Sequence, residues 1–225
     1  MNEIPLGSRW PWIRHRFIFL LVAIFLLLVV TPFLEGFVRL RFLFNVFLSA
    51  VLVSAVYALS QKIRNIVIGA LLAIPMLISI WANYFVRIDE IFLIGRICGI
   101  FFIAFTIFHV LRHIFRVQEV TRDTIAGAAA VYLLLALMWA FIYDVVELLQ
   151  PDSFAISATQ MLQPRNLFLY YSFVTITTLG YGDIVPVTNI ATSLAALEAV
   201  AGQLYLVVLV AWLVGMYVSR KSGSQ

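Results

Sequence analysis

Nine consecutive residues, Thr175-Ile176-Thr177-Thr178-Leu179-Gly180-Tyr181-Gly182-Asp183, have types and spacing suited to cation coordination. A cation gives up its water shell only where other oxygens replace it, and backbone carbonyls serve when a strand aims them all to one side. An ordinary strand alternates its carbonyls, so residues with positive φ must be interleaved, and glycine reaches that region without steric cost. Gly180 and Gly182 stand at alternate positions, as this demands. The inward carbonyls would come from Thr178, Leu179, Gly180 and Tyr181, with the Thr178 hydroxyl as the innermost ring and Gly182 completing the stretch. The ion itself is the ligand of such a site, and no cofactor is expected.

Irregular backbone of this kind exists at membrane depth only where it lines a water-filled path or is buried in protein. The rest of the chain makes a membrane the relevant solvent. Of 225 residues, 64% are hydrophobic and 12% charged, against about a quarter charged in soluble domains. Mean hydropathy is +1.04. Apolar runs near the length of about 20 residues needed to cross a bilayer cover Phe17 to Leu34, Phe42 to Leu59, Ile66 to Val86, Ile91 to Leu111, Ile125 to Leu149 and Leu194 to Val218. The first follows Arg9, Arg14 and Arg16 but is too long for a signal peptide and has no cleavage site after it, so it reads as a retained membrane helix. Between the fifth and sixth runs, Gln150 to Asn189 holds three of the seven prolines together with the glycine motif. Pro164 is placed to open a short helix from about Arg165 to Thr177, whose negative C-terminal end would point toward the membrane centre and favour a cation there.

Thr-x-Thr-Thr-x-Gly-Tyr-Gly-Asp between two membrane helices resembles the signature of the potassium channel family, most closely over Leu167 to Pro186. The likeness is to six-helix, single-pore-loop subunits of prokaryotic type. It implies potassium selectivity, with Thr175, Thr177 and Asp183 supporting the filter. It also implies that Tyr170 and Tyr171 match an aromatic pair bracing the filter, their hydroxyls reaching Tyr181 or Asp183 of a neighbouring subunit. Gly202, 19 positions after Asp183, matches the family's inner-helix hinge, although close helix packing also uses small residues. Gly215 suits either role. Two positions depart from the family pattern. Leu179 replaces the usual valine or isoleucine, and Val174 stands where some members place a glutamate that pairs with the aspartate.

Glu198 is the one acid deep within an apolar helix. A carboxylate in lipid is costly and so faces protein; support of the filter from behind the pore helix is the favoured role, a solvated mouth-facing acid the alternative. Asp183 would gather cations at the mouth, with Asp144, Glu147 and Asp152 adding to the field or forming a solvated turret. His109 and His113, four apart, lack the further ligands of a metal site, and the lone Cys98 reads as a core residue. The fourth run carries Arg96 and then nothing basic before His109 and Arg112, so steep voltage dependence is not expected.

The expected fold is all-α integral membrane, with six transmembrane helices, a re-entrant pore helix and filter loop, and a homotetrameric pore, since one chain supplies one filter strand. The divisions are a cytoplasmic N-terminal segment (1–16), a four-helix peripheral domain (17–111), a cytoplasmic linker (112–123) lying along the membrane surface, a pore domain (124–218) and a cytoplasmic tail (219–225). With both termini cytoplasmic, ten basic residues lie inside (Arg9, Arg14, Arg16, Lys62, Arg64, Arg112, Arg116, Arg122, Arg220, Lys221) and five outside (Arg39, Arg41, Arg87, Arg96, Arg165), as the positive-inside rule favours. The short tail leaves no room for a sensor domain. The expected partners are membrane lipid, further copies of the chain, and a separate regulatory partner as one candidate gating stimulus. Nucleic acid is not expected, because the basic residues are spread through short gaps. A weakly selective cation channel and a K+ transporter subunit are the rival readings. An enzyme is a distant third, since no nucleophile, base and orienting group cluster together.

Overall fold

The computed structural model describes residues 15–33, 40–59, 63–85, 89–117, 120–157 and 167–222. The described elements run α1 (Arg16–Phe33), α2 (Leu40–Ala58), α3 (Ile63–Phe85), α4 (Asp89–Ile114), α5 (Arg122–Leu149), β1 (Phe154–Ile156), α6 (Leu167–Ile176), β2 (Ile184–Pro186) and α7 (Asn189–Ser222). Pro164, Arg165, Arg9, Arg14, Arg39, Lys62 and Arg87 lie outside the described residues.

The described residues are mainly helical, as an all-α fold requires, and two three-residue strands add to the helices. The strands pair antiparallel, Phe154 opposite Pro186 and Ile156 opposite Ile184. Three residues per strand are too few for alternation to show in sequence. Helix ends also moved. α4 continues to Ile114 and α5 starts at Arg122, because Thr121 caps α5 reciprocally with Thr124, the arrangement that satisfies orphan N–H groups at a helix start. α7 starts behind Thr188, whose Oγ1 accepts from Ala191 N at 3.3 Å.

Four stretches are long and apolar enough to cross a membrane: Ile63–Ala82, Glu90–Ile114, Arg122–Leu149 and Asn189–Leu209. The described apolar stretches of α1 and α2, Arg16–Val29 and Phe42–Ala58, are shorter, as is α6. Such helices mark a membrane protein.

α5 is the central post, packing on α1, α4, α6 and α7. Its ends carry different chemistry. At the first turn, Asp123 Oδ1 accepts from Phe17 N and Ile18 N, each at 3.1 Å, so a carboxylate from α5 sits on the N-terminus of α1, where the helix dipole favours it. Arg16, also buried there, donates to His113 Nε2 at 3.1 Å. Farther along, α4 is notched against α3 and α5. A side chain at Gly95 would meet Ser79, and one at Gly99 would meet Met76 and Phe141. Apolar helices in lipid associate through such close van der Waals contact.

Arg96 lies on the same helix. Its Nε is 3.0 Å from Asp144 Oδ2, an ion pair out of line for a hydrogen bond. Its guanidinium carbon is 4.5 Å from the Phe92 ring centroid and 4.6 Å from that of Phe141. The charge is thus tied to α5 and sandwiched between aromatic faces. Arg96→Gln is expected to lower unfolding stability by about 1–2 kcal/mol, between the value of an exposed pair and that of a fully buried one. A thermal unfolding midpoint in detergent matching wild type would show that the pair contributes nothing.

Candidate functional site

α6 is short and strongly apolar, with Phe168, Tyr171, Ser172, Val174 and Ile176 buried. The helical path persists one residue further: Thr177 N donates to Phe173 O at 3.2 Å, and Thr177 Oγ1 reaches the same oxygen at 2.6 Å. Then it breaks. Thr178, Gly180 and Gly182 have φ of 59°, 59° and 75°. Left-handed residues at every second position turn alternate peptides over, which brings successive carbonyls toward one side. Glycine was the expected device; Thr178 is the addition. A β-branched residue with positive φ is an outlier that persists only where its surroundings hold it. The holding bonds are local. Thr178 N donates to Thr175 O at 2.9 Å, and Leu179 N and Gly180 N both donate to Val174 O, at 2.9 and 3.2 Å. Thr177 to Gly182 are exposed in the single chain, Leu179 at 56% and Tyr181 at 65%.

Asp183 ends the segment as a junction. Tyr170 Oη donates to its Oδ2 at 2.7 Å, and Ile184 N donates to its Oδ1 at 3.1 Å. Ser157 N donates to its backbone oxygen at 2.9 Å. The Tyr170 contact forms within one chain. Tyr171 has a different place: its ring packs edge-on to Tyr143 and Phe154, with centroids 5.0 and 5.4 Å away.

Behind α6 lies Glu198, with no exposed surface. Tyr143 Oη donates to its Oε2 at 2.5 Å. Ser172 Oγ contacts its Oε1 and also donates to Ala136 O at 2.7 Å. One carboxyl group therefore joins α5, α6 and α7. One turn along α7, Gly202 presses on the end of α6: a Cβ there would lie 2.5 Å from Ile176 Cγ1 and 2.6 Å from Ile176 O. That carbonyl accepts from Tyr132 Oη at 3.2 Å. Tyr132 stacks on Tyr205, centroids 5.9 Å apart, and Tyr205 Oη donates to Ala128 O at 2.6 Å. Gly215 has open space where a side chain would go.

Tyr132, Tyr143, Ser172 and Tyr205 were not anticipated. A signal existed for two of them. Tyr132 and Tyr143 are 11 residues apart on α5, three helical turns, and so share a face.

Other expected residues are elsewhere. Asp144 pairs with Arg96 of α4. Glu147 binds its own following turn, accepting from Asp152 N and Ser153 N. His109 Nδ1 donates to Phe105 O at 2.9 Å while His113 meets Arg16. Among the described residues no group of three or more metal-ligating side chains forms.

The arrangement provides a stretch of backbone oxygens on an exposed edge, held from behind by a polar junction. Residues 131–219 match the family model described as ion channel. The match spans most of α5, then α6, the Thr-Gly segment, β2 and nearly all of α7. It supports an ion channel family and points to a channel protein rather than an enzyme. No curated protein and no solved structure matches the chain.

Proposed function

We infer that this chain is one subunit of a potassium-selective channel that conducts passively through a filter formed by Thr175 to Asp183. The observation that carries the reading is the left-handed backbone at Thr178, Gly180 and Gly182. It supports a file of carbonyls from Thr178, Leu179, Gly180 and Tyr181 able to replace the water of a dehydrated K+ ion. Gly182 extends the file, and Thr175, Thr177, Tyr170, Asp183 and Glu198 hold it. Tyr171 contributes by packing.

One exposed edge cannot surround an ion. α7 also carries an apolar stripe, with Leu197, Val200, Leu204 and Val207 all exposed at helical spacing. Both surfaces suit burial against further copies, and a cyclic homotetramer closes the cage. Six crossings of the cell membrane, with both termini cytoplasmic, accord with the Lys and Arg distribution. α4 has Arg96, engaged by Asp144, and no further arginine before Arg112 in its last turn, and each charge yields only about 2.3 kcal/mol per 100 mV. Steep voltage gating is not part of this reading.

The test is the reversal potential of purified protein in planar bilayers under opposed K+ and Na+ gradients. It should lie near the K+ equilibrium potential. A value near zero would mean a weakly selective cation pore. Slow saturating flux without unitary currents would mean a transporter.

A further inference from the structure

Glu147 stands in the last turn of α5, well before the filter in sequence, yet the contacts beyond it lead to the filter's end. After α5 the chain reverses at Asp152, which has a φ of 62°, a conformation that aspartate tolerates better than most residues. Both carboxylate oxygens of Glu147 hold that reversal: Oε1 accepts from Asp152 N at 3.0 Å and Oε2 from Ser153 N at 3.1 Å. Ser153, fully buried, donates from Oγ to Gln150 O at 2.7 Å. Its backbone oxygen accepts from Val187 N at 2.9 Å. β1 follows at once. Phe154 enters the aromatic cluster of Tyr143, Phe168 and Tyr171, and β1 pairs with β2. Just past β1, Ser157 N donates to Asp183 O at 2.9 Å, one residue from Gly182.

A two-stranded ladder is marginal by itself, and this one has three residue pairs. It therefore depends on what fixes its ends. Phe154 anchors the strand's apolar side, and Glu147 fixes the backbone entering it. Two bonds from one carboxylate to consecutive N–H groups are charge-assisted and stronger than neutral ones. We propose that Glu147 is a positioning residue for the selectivity filter, setting strand β1 so that its pairing with β2 and the Ser157–Asp183 bond hold the filter's end in its conducting shape. The proposal rests on the potassium-channel reading above. It gives Glu147 a role distinct from an acid that merely adds negative field at the mouth.

The experiment uses the full chain in planar bilayers, measuring Na+ permeability relative to K+ at low and high K+ on the filter-mouth side, with tetramer content measured in parallel. Three variants separate the causes. Glu147→Ala removes both bonds and the charge. Glu147→Gln removes the charge and keeps one accepting oxygen for the two N–H groups. Ser157→Pro leaves Glu147 intact and removes the N–H that reaches Asp183. Glu147→Ala and Ser157→Pro should each raise relative Na+ permeability about tenfold at low K+, the change that losing roughly one net bond brings. High K+ should restore both, because ions in the filter hold its shape. Glu147→Gln, which keeps one of the two acceptors, should give a smaller rise than Glu147→Ala. The proposal is overturned if Glu147→Ala behaves as wild type. Equal shifts in the alanine and glutamine variants that vanish when ionic strength is raised with an impermeant cation at low K+ would also overturn it, since that is a screened surface field. Should Glu147→Ala fail to assemble, Ser157→Pro decides, and unchanged permeability in it would likewise end the proposal. A wild-type channel that fails to discriminate K+ from Na+ would count against the channel reading, whereas a selective wild type matched by Glu147→Ala would count against Glu147 alone.

Discussion

Gly202→Ala is expected to make the channel leak Na+, raising relative Na+ permeability on the order of tenfold or abolishing tetramer formation. The two readings of this glycine predict different outcomes. If Gly202 is a hinge, alanine stiffens α7, since alanine is favoured over glycine by about 1 kcal/mol in a helix interior. Gating would shift and selectivity would hold. The packing geometry argues for more. The new Cβ would sit 2.6 Å from Ile176 O, a backbone atom, and 2.5 Å from Ile176 Cγ1. The side chain can rotate away, but the carbonyl can move only with the end of α6, and with it the base of the filter at Thr177 and Thr178. Overpacking of this kind costs about 1–3 kcal/mol, which outweighs the gain in helix propensity. The displaced carbonyl also accepts from Tyr132 Oη, so α5 is drawn in. Reversal potential and single-channel open probability, recorded together, decide the matter. Altered gating at unchanged selectivity would return Gly202 to the hinge.

Glu198→Ala is expected to be the most destabilising single change in the pore region, at about 3–5 kcal/mol. Tyr143, Ser172 and Glu198 are all fully buried. Truncation leaves the Tyr143 hydroxyl on α5 without its acceptor, while Ser172 keeps Ala136 O, and it opens a cavity between three helices. Each unsatisfied buried group costs about 1–3 kcal/mol. Glu198→Gln should differ sharply from alanine, staying within about 1 kcal/mol of wild type. The reason is a count of hydrogens. Ser172 has one hydroxyl hydrogen for two oxygen neighbours, Ala136 O and Glu198 Oε1. An amide at 198 brings a hydrogen for Ser172 and keeps an oxygen for Tyr143. Thermal stability of the reconstituted protein and its K+ current measure both variants. An alanine variant as stable and selective as wild type would show that the buried carboxyl supports nothing. A glutamine variant as damaged as alanine would show that the charge, not the hydrogen-bond pattern, matters.

What was legible in the chain was whatever residue type and short spacing dictate. A nine-residue motif announced its backbone because glycine at alternate positions permits what other residues resist. Apolar runs announced helices because lipid offers no partner for a free peptide group. Glu198 could be singled out because a lone acid in an apolar helix must face protein, but its partners could not be named. Which side chains meet across helices depends on the rotation and depth at which helices pack, and no local pattern in α5 or α6 encodes that. The same blindness left Asp144 between a field-forming acid and a solvated turret, when packing of α4 on α5 brings Arg96 to it. It also concealed β1 and β2, whose pairing joins residues about 30 apart in sequence through bonds any backbone can make. The sequence alone determined that this protein lives in lipid and carries an oxygen-lined segment. The tertiary structure decided what holds that segment, because a hydrogen bond between distant side chains exists only once the helices bearing them have docked.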